Sequence, residues 1–211
     1  MGFGPSKAFP NPAPNGGYFL TYLDTNPPIS RLAIGTSTQL LPTPQSLTEN
    51  HGFLSILNDV LRAHAAQDPG LQSQAQVFAG PGGATLGSHG AFFPQQRSQR
   101  ATNKIAAGLG GGGGAGGGGG GGASAQGGAG GAGAGGYVHL SDLRNPPDFG
   151  RIAFPEDILG SIEVDSHGKI IGEFEPSGTY RIITNEGILG LSDFLRTKLV
   201  ERLKEEEKRE Q

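Results

Sequence analysis

Between Gly108 and Gly136, 20 of 29 residues are glycine, and most of the others are alanine or serine. Glycine loses more backbone entropy on ordering than any other residue and brings no side chain to bury. Such a run is expected to stay a flexible coil, and the expected disordered insertion spans residues 80–136. Any interior must therefore be built from the flanking sequence. Residues 17–79 supply 63 positions and residues 137–211 supply 75, each close to the lower limit for a stable core. Together they supply 138, an ordinary domain. Closure entropy grows only with the logarithm of loop length, so a long insertion is tolerated inside one domain. Gly-x-Gly-x-x-Gly spacings within the run carry no meaning, because every spacing occurs there and no strand precedes it.

Before residue 17 the chain reads as a disordered Gly/Pro tail, 1–16, with Pro5, Pro10, Pro12 and Pro14. The first part of the split domain, 17–79, opens with the aromatic strand pattern Tyr18–Leu23 and a second strand over Arg31–Thr38. Phe53, Leu54, Leu57, Val60, Leu61 and His64 recur at helical steps and predict a helix over Thr48–Gln67 with Thr48 as its cap. Asp68-Pro69-Gly70 reads as its stop, and Gln74–Ala79 as a short strand.

The second part, 137–211, starts with the strand Tyr137–Leu140. Ile158, Gly160, Ile162 and Val164 alternate on one face of the next strand, and Asp165-Ser166-His167-Gly168 is a hairpin turn. Lys169–Phe174 and Thr179–Thr184 complete an expected meander. A terminal helix is predicted over Ser192–Glu207, capped by Ser192 and striped by Leu195, Leu199, Val200 and Leu203, with a solvated, fraying end beyond Leu203. The expected fold class is α+β: a small antiparallel or mixed sheet with two amphipathic helices on one face, interrupted by the Gly-rich insertion.

One pattern repeats. Gly16-Gly17-Tyr18, seven residues and Asn26-Pro27-Pro28 match Gly135-Gly136-Tyr137, seven residues and Asn145-Pro146-Pro147. Arg31-Leu32-Ala33 follows the first copy and Arg151-Ile152-Ala153 the second. The halves read as a duplicated β-turn-β…α unit, the second enlarged by the hairpin. Convergent turn chemistry is the alternative, because Asn-Pro-Pro is stiff and ends strands.

Composition narrows the chemistry. The chain has no Cys, which excludes a disulfide framework, a thiolate metal site and a thiol nucleophile. No apolar run reaches the roughly 18 residues of a membrane span. Asn-x-Ser/Thr acceptors are also absent. Residues 1–136 carry six basic and four acidic groups, and 137–211 carry ten and fifteen, so the better-patterned half is acidic at −5. Nucleic acid is therefore not the expected partner. With neither a signal peptide nor a transit peptide in the pattern, the expected localisation is cytoplasmic or nuclear.

No Gly-x-Ser-x-Gly elbow or phosphate loop occurs. The five histidines are not paired at helical spacing, so no metal or cofactor is expected. The candidate catalytic residues are His139 and Asp142, the one His/Asp pair close in sequence, with the carboxylates of Glu156 and Asp157. Glu163 and Asp165 extend the acidic set, and Arg151 and Arg181 are expected to form salt bridges with these acids. Met1-Gly2-Phe3-Gly4-Pro5-Ser6 fits the loose N-myristoylation pattern at Gly2, although bulky Phe3 fits the acylating enzyme poorly. The expectation from sequence is a non-enzymatic interaction, adaptor or assembly protein with a protein partner. The alternatives are a small enzyme using His139, Asp142, Glu156 and Asp157, and a weakly membrane-associated adaptor acylated at Gly2.

Overall fold

The computed structural model describes residues 9–13, 16–79, 135–148 and 151–210. The expected flexible coil lies outside them, apart from Gly135 and Gly136. One antiparallel sheet runs in the order β1 (Phe9–Pro12), β2 (Tyr18–Thr21), β3 (Gly35–Ser37), β4 (Leu47–Glu49). A second contains β5 (Gly136–Ser141), β6 (Ile158–Val164) and β7 (Glu175–Pro176), and β8 (Ile183–Thr184) pairs with β9 (Gly187–Ile188). Three helices among the described residues complete a mixed α+β fold: α1 (His51–His64), α2 (Pro69–Ala79) and α3 (Asp193–Glu210). No helix among the described residues is long and apolar enough to cross a membrane.

Both segments fill one interior. Leu32, Ile34, Phe53 and Leu61 belong to the same buried cluster as Ile162, Ile182, Leu189 and Leu199. α1 packs directly on α3, whose Leu195, Leu199 and Leu203 form a fully buried stripe at four-residue spacing. The Tyr22 ring stacks on Phe53 with centroids 6.3 Å apart, and its hydroxyl donates to the Leu189 carbonyl at 3.2 Å. Aromatic area and a satisfied buried hydroxyl thus join the first segment to the second.

The element order repeats as the sequence echo does. β2 leads through Asn26-Pro27-Pro28 and a 3-10 turn at Ser30–Leu32 to antiparallel β3, then β4 and α1. β5 leads through Asn145-Pro146-Pro147 and a 3-10 turn at Pro155–Asp157 to antiparallel β6, then β7, the β8–β9 hairpin and α3. The Asn26–Pro27 bond is cis. Phe53-Leu54 and Phe194-Leu195, the Phe-Leu pairs near the starts of α1 and α3, are out of register by one relative to the helix caps. The buried third residue after the cap is Phe53 behind Asn50 in α1 and Leu195 behind Ser192 in α3.

Several local expectations are corrected. Phe9–Pro12 is not free tail: it pairs with β2 in the register Pro10↔Leu20 and Pro12↔Tyr18. Thr48 lies in β4, and Asn50 caps α1 instead. Its Oδ1 accepts from Gly52 N–H at 2.9 Å while Nδ2 donates to the carbonyls of Ser30, Arg31 and Ala33 at 3.2, 2.8 and 2.7 Å. A threonine hydroxyl could accept the cap bond but, with one proton to give, could not hold several of these carbonyls as well.

Asp68-Pro69-Gly70 ends one helix and begins the next, so the described residues hold three helices rather than two, and no strand forms at 74–79. Asp68 Oδ1 accepts from Leu71 N–H at 3.0 Å, and Pro69 opens α2, where its missing N–H costs nothing.

The predicted meander is only partly regular. After the turn, the chain touches β6 by a single bridge, Val164↔Ile170, and pairs again only at β7. Between them the amides of Ile171 and Gly172 converge on the Glu163 carbonyl, so the return is a bulged strand. The expected third strand is replaced by the β8–β9 hairpin, whose turn places Gly187 at φ 128°.

The end of α3 does not fray at Leu203. Glu206 meets Arg202 at 2.7 Å and Arg31 at 3.5 Å, and the Thr25 hydroxyl donates to Glu207 at 2.5 Å. The first Asn-Pro-Pro connection therefore docks on the last turns of the chain.

Candidate functional site

β5 alternates inward at Val138 and Leu140, and the next residue in that series is Asp142, which is fully buried. Its backbone N–H donates to the Asp157 carbonyl at 2.7 Å, bringing the two ends of the β5–β6 connection together. Asp157 is 1% exposed. Between these acids lies Arg144, whose side chain is 3% exposed.

The guanidinium is almost completely used. Nε donates to Asp157 Oδ1 at 2.8 Å, and Nη2 donates to the carbonyls of Glu156 and Arg181 at 2.9 and 2.7 Å. Nη1 lies 3.8 Å from Asp142 Oδ2 and donates to the Gly187 carbonyl at 3.5 Å. The Tyr180 ring sits under the cation at 5.4 Å.

Asp142 is equally occupied. Oδ1 accepts from the amides of Arg144 and Gly190 at 2.8 and 2.9 Å, and Oδ2 accepts from the Tyr180 hydroxyl at 2.8 Å. Asp157 Oδ2 accepts from Asn145 Nδ2 at 3.3 Å. A Cβ at Gly190 would lie 2.7 Å from Arg144 N and 2.8 Å from Asp142 Oδ1, so only glycine lets the chain approach this closely.

Burial pushes the Asp142 carboxyl above its ordinary value, against the Arg144 charge and the hydrogen bonds from Arg144, Tyr180 and Gly190. Burial, followed by the Asp142 charge, raises the Tyr180 phenol well above its usual value. Charges taken this far out of water persist only when each is paired and hydrogen-bonded. The cluster is a clamp tying together residues 142–145, 156–157, 180–181 and 187–190.

Of the four candidate catalytic residues, the structure thus brings Asp142 and Asp157 to one cluster. Glu156 contributes its carbonyl there, while its side chain is exposed. His139 is paired across the β5–β6 ladder: Nδ1 lies 2.7 Å from Ser161 Oγ. Its Nε2 is buried and has no hydrogen-bond partner among the described residues. Burial lowers its pKa from 6.5.

Glu163 is exposed. Asp165 serves its own turn, accepting from the amides of His167 and Lys169 at 2.8 and 2.9 Å, and these bonds hold its carboxyl below its ordinary value. Arg151 faces Asp148 at 4.0 Å with both side chains exposed. Gly2 lies outside the described residues.

A second polar junction joins the segments. The Ser192 hydroxyl donates to Asp68 Oδ2 at 2.5 Å, while Ser192 Oγ accepts from Leu195 N–H at 3.2 Å. The N-terminal caps of α2 and α3 are therefore bonded to each other, and buried Asp68 faces the positive ends of both helices.

A surface groove of about 440 Å³ runs beside the contact of α1 with α3, lined by Asp59, His64, Lys198, Glu201, Arg202 and Glu205. Its charges are paired along their own helices, as in Lys198–Glu201 at 2.9 Å and Arg202–Glu205 at 3.6 Å. No group of three His, Asp or Glu side chains among the described residues is placed to hold a metal.

Sequence reasoning missed Arg144, Tyr180 and the Asp68–Ser192 bond. A local signal existed for the first: Asp142 continues the inward alternation of Val138 and Leu140, which marks an acid headed for the interior. Comparisons with protein-family models, curated proteins and solved structures find no match to this chain.

Proposed function

We propose that the protein is a non-enzymatic interaction or adaptor protein that binds a protein partner through the β5–β6 connection. The supporting observation is that this connection exposes three apolar side chains, Leu143 at 40%, Ile152 at 39% and Phe154 at 66%, while the Arg144 clamp holds its ends. An apolar display on a pre-organised loop loses less freedom on binding than one on a mobile segment. The test is quantitative affinity purification of the wild-type chain beside an Ile152→Ser, Phe154→Ser variant of equal thermal stability. Partners retained by the first and lost by the second support the reading. An identical partner list from both rejects it.

A small enzyme is the second reading, favoured by the 2.7 Å approach of His139 Nδ1 to Ser161 Oγ, the geometry of a base beside a hydroxyl nucleophile. Labelling of Ser161 by a serine-directed fluorophosphonate, abolished in His139→Gln, would support it. An unlabelled Ser161 removes it.

A further inference from the structure

The two larger sheets are finished differently at matching edges. In the first, β1 covers the outer edge of β2. Leu20 gives its carbonyl to Ile34 N–H on the β3 side, so the Pro10↔Leu20 pair makes no ladder bonds across β1–β2. Pro10 and Pro12 therefore stand where an N–H would turn outward, and they have none to offer. The strand closes the sheet against further pairing.

In the second sheet the corresponding strand is β5, and among the described residues no strand lies beyond it. β5 has six residues, no proline and no formal charge, whereas β4 and β7 have three and two. Of the usual protections of an edge it has neither proline nor charge, only a bulge at Leu140/Ser141 and a helix near its start. α2 meets it at its start, where the Phe78 ring packs on Gly136.

We infer that the outer edge of β5 is a strand-acceptor site for an extended, uncharged segment of another polypeptide that carries an aromatic residue and alternate prolines, as Phe9-Pro10-Asn11-Pro12 does. The occupant follows from continuity with the β1–β2 interface, which is this same edge in the first half already filled. Leu159 and Glu163 give their carbonyls to Ser177 and Ile171 on the β7 side, so Gly160 and Ile162 bond Leu140 and Val138, and the backbone groups on the outer flank of β5 are those of Tyr137 and His139, the counterparts of Phe19 and Thr21 facing β1. Such a strand supplies donors and acceptors on one flank, places no charge against the neutral β5, and binds antiparallel. This rests on the interaction-protein reading but uses a different surface from Ile152 and Phe154.

The test uses the full chain and a blocked synthetic peptide, Ala-Phe-Pro-Asn-Pro-Ala, followed by amide NMR and hydrogen exchange. Saturable shifts confined to residues 136–141, with several-fold slower exchange at the outward-facing amides of Tyr137 and His139, are expected. The same peptide N-methylated at Phe and Asn should do nothing. Four results overturn the inference. The 136–141 amides stay unmoved at millimolar peptide, or they are already protected in the free protein. The response falls on β2 instead, or β5 is occupied by a second copy in a concentration-dependent dimer. A failed peptide with the Ile152/Phe154 partner difference intact would sink this inference alone, and the reverse pattern would sink the broader reading.

Discussion

In the first half of the chain, the Asn-Pro-Pro connection is tied down by the neutral amide of Asn50, which reaches three backbone carbonyls while capping α1. In the second half, the same task falls to the charged guanidinium of Arg144, which takes three carbonyls and the Asp157 carboxylate in a buried site. Both solutions join a turn to a later element with one multidentate side chain. They differ in what removal leaves behind. Without Asn50, a few carbonyls and an amide near the surface can turn to water. Without Arg144, two carboxylates remain in the interior with no cation. Losing the first fastening is thus expected to cost less than losing the second.

The most severe way to break this comparison is to separate its two terms. Residues 16–79 and 135–211, expressed individually, are each expected to lack a cooperative thermal transition and dispersed amide resonances, because the buried cluster draws on both. A sharp melt from either piece would make the halves independent units.

Arg144→Met should cost about 3–5 kcal/mol in urea unfolding, the penalty for leaving a buried partner unpaired. Asn50→Ala should cost about 1–2 kcal/mol, typical of a lost cap with one or two further hydrogen bonds. Equal losses from the two changes would erase the distinction drawn between neutral and ionic fastening.

The smallest expected effect concerns pH. His139 is held below its ordinary 6.5 by burial. The unfolded chain therefore takes up a proton on this group before the folded chain does. Stability contributed by neutral His139 is present above pH 6.5 and declines as pH falls toward the folded value. Denaturation midpoints measured between pH 7 and pH 5 should drop, and His139→Gln should flatten that portion of the profile.

Regular, locally patterned elements were legible in the sequence. The 158–164 strand announces itself by alternation, and α3 by its leucine stripe and Ser192 cap. The errors fall where one local signal serves two purposes or where the partner is remote. Asp68-Pro69-Gly70 halts a helix, yet aspartate before proline is equally the chemistry that starts one. The prolines of Phe9–Pro12 suggest a tail, yet proline is compatible with a strand that bonds on one side only. Of the site, the two aspartates were legible and their arginine was not. Arg144 finds its partners as far away as Arg181 and Gly187, and no spacing rule connects those positions.

The prolines of β1 carry a consequence for stoichiometry. A strand with amide hydrogens on a single flank is a terminator: it can add to a growing sheet, but nothing can add to it. If β5 accepts a segment of that kind, recruitment stops after one event. The assembly is then a discrete one-to-one pair, and the polymerisation that threatens any bare edge is cut off by the ligand itself.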